Sequence, residues 1–405
     1  MTTQIATKSA RRGLAAIPRG VWALGIVSLC MDLSSELVHS LLPLYMAVGL
    51  GASTFVIGIV EGVAEALALI VKVFSGVLSD MFRKRKSLVV AGYGLAALTK
   101  FIFPLAPTLG WVVTARFADR VGKGIRGAPR DALIADIAPA DARGASFGLR
   151  QALDTVGAIG GPLLALAAMV YFAGNFRASF WVAVIPAVIC VAVLVFGVSE
   201  PAKVGGDNAK THLRLADAKR FPASYWIVVG IAGVLTLARF SEAFLVLRAQ
   251  NVGLQVSLVP WVMVIMSTVY AAVAYPTGAA ADRGAGAYLL WSGLVALISA
   301  DIVLAQAATP AVVFVGAALW GLHMGLTQGL LSALVANAAP ADLRGSAFGI
   351  FNLVSGVALL IASALAGWLW DAYGPRFTFY AGAAFTAIAL IGLMTRGRKI
   401  GTLER

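Results

Sequence analysis

Twelve apolar runs of about twenty residues, separated by short polar breaks, constrain this chain more than any other feature of its sequence. A run of that length crosses the hydrocarbon core of a bilayer as one helix, and a helix satisfies all its backbone polar groups internally where no water is available. Breaking the runs at Gly, Pro and charge clusters puts spans near 20–47, 54–80, 87–106, 110–137, 144–172 and 177–198. A second set falls near 222–248, 256–281, 287–305, 309–338, 345–370 and 376–395. Hydrophobic residues make up 60% of the chain and charged ones 13%, where a soluble domain carries roughly twice that charged share. The 43 glycines suit membrane helices, in which small residues let backbones approach closely. The expected fold is an all-α membrane protein.

The net charge of +13 does not read as a nucleic-acid surface, because its basic residues fall in alternate short breaks. Roughly twenty Lys and Arg lie in the N-tail, in one alternating set of loops, in the 199–221 break and in the C-tail, against about three in the other loops. This positive-inside pattern puts both termini in the cytoplasm of a bacterial-type inner membrane and requires an even number of spans. The polar, basic N-terminus (Lys8, Arg11, Arg12, Arg19) and the length of the first run argue against a cleavable leader. Cys30 and Cys190 lie inside apolar runs, and His39, His212 and His323 are scattered, so neither a disulfide framework nor a metal site is expected. The sequence has no phosphate-binding P-loop, so ATP-driven pumping by this chain alone is not expected. No cofactor is expected.

The two halves repeat each other. Pro139-Ala-Asp-Ala-Arg-Gly-Ala-Ser-Phe-Gly148 returns as Pro340-Ala-Asp-Leu-Arg-Gly-Ser-Ala-Phe-Gly349. Gly76-Val-Leu-Ser-Asp80 returns as Gly278-Ala-Ala-Ala-Asp282, and Gly174-Asn-Phe-Arg177 is echoed by Gly374-Pro-Arg376. A common separation of about two hundred residues identifies an internal duplication. Residues 1–198 therefore form one six-helix bundle, 199–221 a cytoplasmic linker and 222–405 the second bundle. Parallel repeats of this kind place a binding site between them near the bilayer midplane.

The break after the second span reads Gly76-Val-Leu-Ser-Asp80-Met-Phe-Arg83-Lys84-Arg85-Lys86, and its echo is Gly278 to Asp282-Arg283-Gly284. This pattern of glycine, aspartate four residues on and then basic residues resembles the signature loop of the major facilitator superfamily, with Arg83 where a glycine is usual. The resemblance covers essentially the whole chain. It implies a gate built from Gly76, Asp80, Arg83, Gly278, Asp282 and Arg283, with Asp80 facing the positive N-terminus of a helix from the other half. The fifth span carries Gly157-Ala-Ile-Gly160-Gly161-Pro162, which resembles the glycine–proline motif of the superfamily's antiporters without its terminal glycines. Pro162 removes a backbone donor, and Gly157 and Gly161 permit bending or close packing.

Ionisable residues inside apolar runs are candidates for function, since each costs about 2–3 kcal/mol or more at the membrane centre. Arg116, Arg120, Lys123 and Arg130 of the fourth span recur on one face. Asp32, Glu36 and His39 form a stripe of the first span, and Glu61 and Glu65 lie four apart in the second. Arg116 with the glycines after it resembles the family's fourth-helix motif, which in proton-coupled members neighbours the protonatable acid. Asp32, Glu36 and Arg116 are accordingly expected to handle protons. The cavity is expected to draw on His39, Arg120, Lys123 and Asp154, with Arg239, Phe240, Glu242 and His323 from the second half. The alternative for these charges is a structural network of paired acids and bases.

The expected function is secondary active transport by alternating access: proton-coupled export of small organic compounds, amphipathic and anionic or zwitterionic, by a monomer. Proton-linked uptake of an organic anion and a non-transporting receptor or scaffold are the alternatives. A membrane-embedded enzyme is not expected, since no nucleophile–base pair or metal-ligand set stands out.

Overall fold

The computed structural model describes residues 17–82, 84–139, 142–200, 220–340 and 343–396. Every extended element among them is a helix. The first half contains α1 (Arg19–Leu44), α2 (Thr54–Phe82), α3 (Arg85–Leu105), α4 (Leu109–Ile137), α5 (Arg143–Tyr171) and α6 (Phe176–Gly197). The second contains α7 (Ala223–Ala238), α8 (Ala243–Asn251), α9 (Trp261–Ala280), α10 (Gly286–Gln306), α11 (Pro310–Ala338), α12 (Arg344–Tyr373) and α13 (Pro375–Arg396). Eleven stretches of the described residues are long and apolar enough to cross a membrane, α7 and α8 counting as one. The twelfth span is α4, which matches its neighbours in length but carries too many charges to qualify by composition. Outward faces are apolar: Phe74, Leu98, Ile185, Phe196 and Ile391 are all more than 60% exposed. Water would penalise such a surface, whereas acyl chains match it.

The chain reverses at each loop, so the ends near residues 19, 82, 137, 197, 223 and 338 share one face of the bundle, the face where residues 200 and 220 flank the linker. This is called the linker side below, and residues 201–219 of the linker itself lie outside the described residues. The repeat reappears in the turns: Gly174 (φ +81°) and Gly374 (φ +94°) take the left-handed conformation that glycine adopts without cost before the last helix of each half.

The seventh span departs from the continuous helix that its apolar run predicts. It breaks between Ala238 and Ala243 with no Gly or Pro at the break. Tertiary partners repair the backbone there: Ser241 N–H donates to Ser363 Oγ at 3.1 Å and Ala243 N–H to Ser241 Oγ at 3.3 Å. The break therefore places Arg239, Phe240, Ser241 and Glu242 at mid-membrane, outside regular helix.

The halves close on the side opposite the linker. Leu37, Leu41, Val60, Ala243 and Leu247 share one buried cluster. A Cβ built on Gly62 of α2 would lie 2.9 Å from Leu360 Cα of α12, and one on Gly367 would lie 2.7 Å from Phe55 Cα. No side chain fits either position, so glycine permits the contact. The start of α2 is capped from the other half: Thr54 and Phe55 N–H donate to the Asp371 carboxylate at 3.2 and 2.9 Å. A carboxylate on the positive end of a helix satisfies two orphan donors at once. Asp371→Ala should weaken this lock by about 0.5–2 kcal/mol, a roughly 2- to 30-fold shift toward opening on that side. Spin labels at the exposed Val48 and Phe377 should then report a larger long-distance population.

A central cavity with a charged floor

A cavity of about 580 Å³ lies between the halves. Glu36, His39, Glu65, Lys72, Arg120 and Lys123 line it from the first half, and Arg239, Phe240, Glu242, Trp320, Gln328 and Asn352 from the second. It runs from mid-membrane, at His39 and Glu242, toward the linker side, at Lys72 and Asn352. With the far side closed, this is an arrangement open toward the linker.

The floor is a buried network across three helices of the first half. Glu61 is fully buried and accepts from Arg116 Nη2 at 2.5 Å. The same Nη2 lies 2.9 Å from His39 Nδ1. A guanidinium has no lone pair to offer, so Nδ1 accepts and the imidazole proton sits on Nε2. That Nε2 lies 3.7 Å from Glu242 Oε2, across the boundary between the halves. Glu65 Oε1 is 3.3 Å from Arg120 Nη1 and 3.8 Å from Arg116 Nη2. Among the described residues, the other oxygen of Glu61 and the Nε atoms of Arg116 and Arg120 have no hydrogen-bond partner. Incompletely satisfied, strongly paired charges are sensitive to any change in one member.

The expected neighbour of Arg116 is corrected here: it is Glu61, with His39, rather than Asp32 or Glu36. Sequence spacing groups residues along one helix, but helix rotation and crossing decide which other helix they meet. Asp32 and Glu36 lie instead on the seam with α5. Cβ atoms on Gly157 and Gly161 would fall 2.7 Å from Asp32 Cβ and 2.5 Å from Glu36 Cβ, so these glycines admit the two acids between the helices. Glu36 reaches the cavity, whereas Asp32 experiences chiefly the charges of Asp154, Arg126, Glu36 and Lys123. Pro162 is buried within the unbroken α5.

Two further cavity expectations are corrected. Asp154 accepts from Arg150 at 2.5 Å on α5 and does not line the cavity. His323 of α11 is buried against α10, its Nδ1 2.8 Å from Gly293 O. The basic face of α4 also divides. Arg116, Arg120 and Lys123 meet the floor and cavity, while Arg130 donates to Ser28 Oγ at 2.7 Å. Of the gate residues, Gly76 lies against α4, where a Cβ would make an ordinary 3.5 Å contact with Ala128, and Gly278 has open space around it. Arg283 is exposed. The side chains of Asp80 and Asp282 and the whole of Arg83 lie outside the described residues.

Sequence reasoning missed four charged residues. Lys100 of α3 is buried and donates to Asp119 at 2.7 Å. Asp301 of α10 is fully buried, Lys72 lines the cavity and Asp371 makes the cap described above. Lys100 and Asp301 each carried a signal, as the lone charge of an otherwise apolar run.

The halves match the Major Facilitator Superfamily model over residues 24–248 and 237–401. The chain belongs to the major facilitator superfamily. An MFS-type transporter of Methanocaldococcus jannaschii is 30% identical over 379 residues, covering 92% of this chain and 94% of its relative. The inner membrane transport protein YajR of Escherichia coli is 25% identical over 399 residues, 92% of this chain and 82% of that one. The crystal structure of a peptide transporter, POT, superposes with a TM-score of 0.78 at 15% identity, covering 98% of this chain and 97% of that one, and this likeness shows the shared fold. The protein is thus a multi-pass membrane transporter of this superfamily, and its relatives are transporters rather than enzymes.

Proposed function

We propose that this major facilitator superfamily protein exports small organic compounds in exchange for protons, with its linker side in the cytoplasm of a bacterial-type inner membrane. The observation that carries the reading is the His39 bridge between the Glu61–Arg116 pair and Glu242 of the other half. A proton arriving on His39 Nδ1 removes the acceptor that Arg116 uses and turns the imidazole into a cation facing Glu61 and Glu242. Because Glu242 belongs to the other half, that single event changes the energy of one packing of the halves relative to the other. Coupling of protons to alternating access requires such a differential. Glu36 and Asp32, on the α1–α5 seam, are the next carboxylates along the proton route.

Four cations (Lys72, Arg120, Lys123, Arg239) and three carboxylates (Glu36, Glu65, Glu242) line the cavity. That small cationic surplus favours an anionic or zwitterionic substrate. Phe240 and Trp320, buried in the aromatic cluster of the second half, give the cavity an apolar wall against which its apolar part can rest. A volume of about 580 Å³ suits a small organic molecule. The basic residues near the linker-side loops, with Gly76, Asp80 and their echoes Gly278 and Asp282, act as the cytoplasmic gate.

The test uses everted membrane vesicles whose lumen is acidified by respiration and monitored with a pH-sensitive acridine dye. Anionic, zwitterionic and cationic amphiphiles are added outside, on the cytoplasmic face. Export by exchange predicts that a subset of compounds discharges the gradient at once, with organic anions or zwitterions among them. Uptake with protons predicts discharge only when the compound is loaded inside the lumen. Discharge in neither arrangement, across the compound set, contradicts proton-coupled transport.

A further inference from the structure

We propose that Asp301 is a second proton-binding site, placed in the C-terminal half and screened from the central cavity by Phe240. Asp301 is 0% exposed, and among the described residues neither carboxyl oxygen has a hydrogen-bond partner. The charged or titratable groups on the elements packed against it are engaged elsewhere or remote. His323 of α11 bonds to Gly293 O. Arg248 of α8 donates to the carbonyls of Leu304, Ala305 and Ala307. Arg239 and Glu242 turn to the cavity. Tyr380 of α13 is exposed, Arg376 lies at the end of α13 opposite the linker, and Arg283 at the linker end of α10. No cation of the described residues approaches within ion-pair distance of Asp301. An ionised carboxylate in such surroundings is strongly disfavoured, with nothing to offset its desolvation. The protonated acid is the form that this pocket accommodates.

Two observations give the site a route and a reason to change state. Phe240 sits in the break of the seventh span and lines the cavity. A Cβ built on Gly382 of α13 would lie 2.6 Å from Asp301 Oδ2 and 3.0 Å from Phe240 Cε1, so the ring and the carboxyl rest on the same glycine. The carboxyl is therefore one side chain away from cavity water, behind a break in the helix where Ser241 N–H bonds to the Ser363 side chain instead of to a backbone carbonyl. The repeat supplies the second observation. Asp301 stands 201 residues after Lys100, the spacing that relates Pro139 to Pro340. Asp119, the partner of Lys100, has Trp320 as its counterpart. The first half fills this position with a closed ion pair, and the second half leaves a lone acid there.

The part that Asp301 plays in transport rests on the proton-exchange reading above, but its capacity to bind and release a proton does not. Infrared difference spectra of the full chain in lipid nanodiscs, taken from acid to alkaline pH, test it directly. Wild type should show a protonated-carboxyl C=O band that fades as pH rises and returns on acidification. Asp301→Asn should lack it, and Asp301→Glu, which keeps the acid should the amide lower the yield, should restore it at a shifted frequency. Phe240→Ala should speed the exchange of that band in heavy water. Identical spectra for wild type and Asp301→Asn, or an Asp301 band that never responds to pH, overturns the proposal. A titrating Asp301 band together with vesicles that discharge no gradient would remove the exchange reading and leave this site standing.

Discussion

Arg116→Leu is expected to destabilise the protein by about 3–5 kcal/mol, the cost of leaving a buried charge without its partner. Glu61 is fully buried, and among the described residues its one hydrogen bond is to Arg116 and its second oxygen has no partner. Removing the guanidinium strands the carboxylate and also takes away the donor to His39 Nδ1. The double variant Glu61→Gln/Arg116→Leu should recover most of the loss, because both charges are gone and neither desolvation cost remains. Thermal unfolding of the purified protein, run as a double-mutant cycle, measures this. A single variant as stable as wild type would mean that Glu61 is not held by Arg116. The double variant, though stable, should have lost the gradient discharge.

Gly58→Leu is expected to act on the balance of states rather than on either half. A Cβ at Gly58 runs into the backbone carbonyl of Ser363 and the ring of Phe244, both in the other half. Overpacking of this kind costs about 1–3 kcal/mol, and here it falls only on the state closed opposite the linker. The corresponding shift is about 5- to 150-fold in favour of the state open on that side. Label pairs at Val48 and Phe377 should move to longer distances while thermal stability changes little. A fall in stability without a change in distance would place the strain within a bundle and not between the two.

The spans, the two-bundle organisation and the family were legible because each depends on local pattern or on repetition within the chain. Partner choice was not. Arg116 lies 55 residues from Glu61 and 77 from His39, and helix rotation alone decides that it meets them rather than Asp32. The α2 cap was equally hidden, since Asp371 lies 317 residues from Thr54. The break at 239–242 has no glycine or proline to announce it, because Ser363 of another helix satisfies the freed backbone. Asp301 and Lys100 were readable as lone charges in apolar runs, but only the structure separates a paired residue from an unpaired one.

The His39 bridge ties proton binding to the packing of the two halves, so the most direct measurement follows both sides of the protein at once as pH changes. One label pair, at the exposed Gln151 of α5 and Tyr275 of α9, spans the linker-side mouth, and the other, at Val48 and Phe377, spans the opposite side. Electron–electron distance measurements on the protein in lipid should show the first distance shortening as the second lengthens when pH is stepped, with the response lost in Glu61→Gln. Distances that ignore pH, or that widen and narrow together, would contradict proton-controlled alternating access.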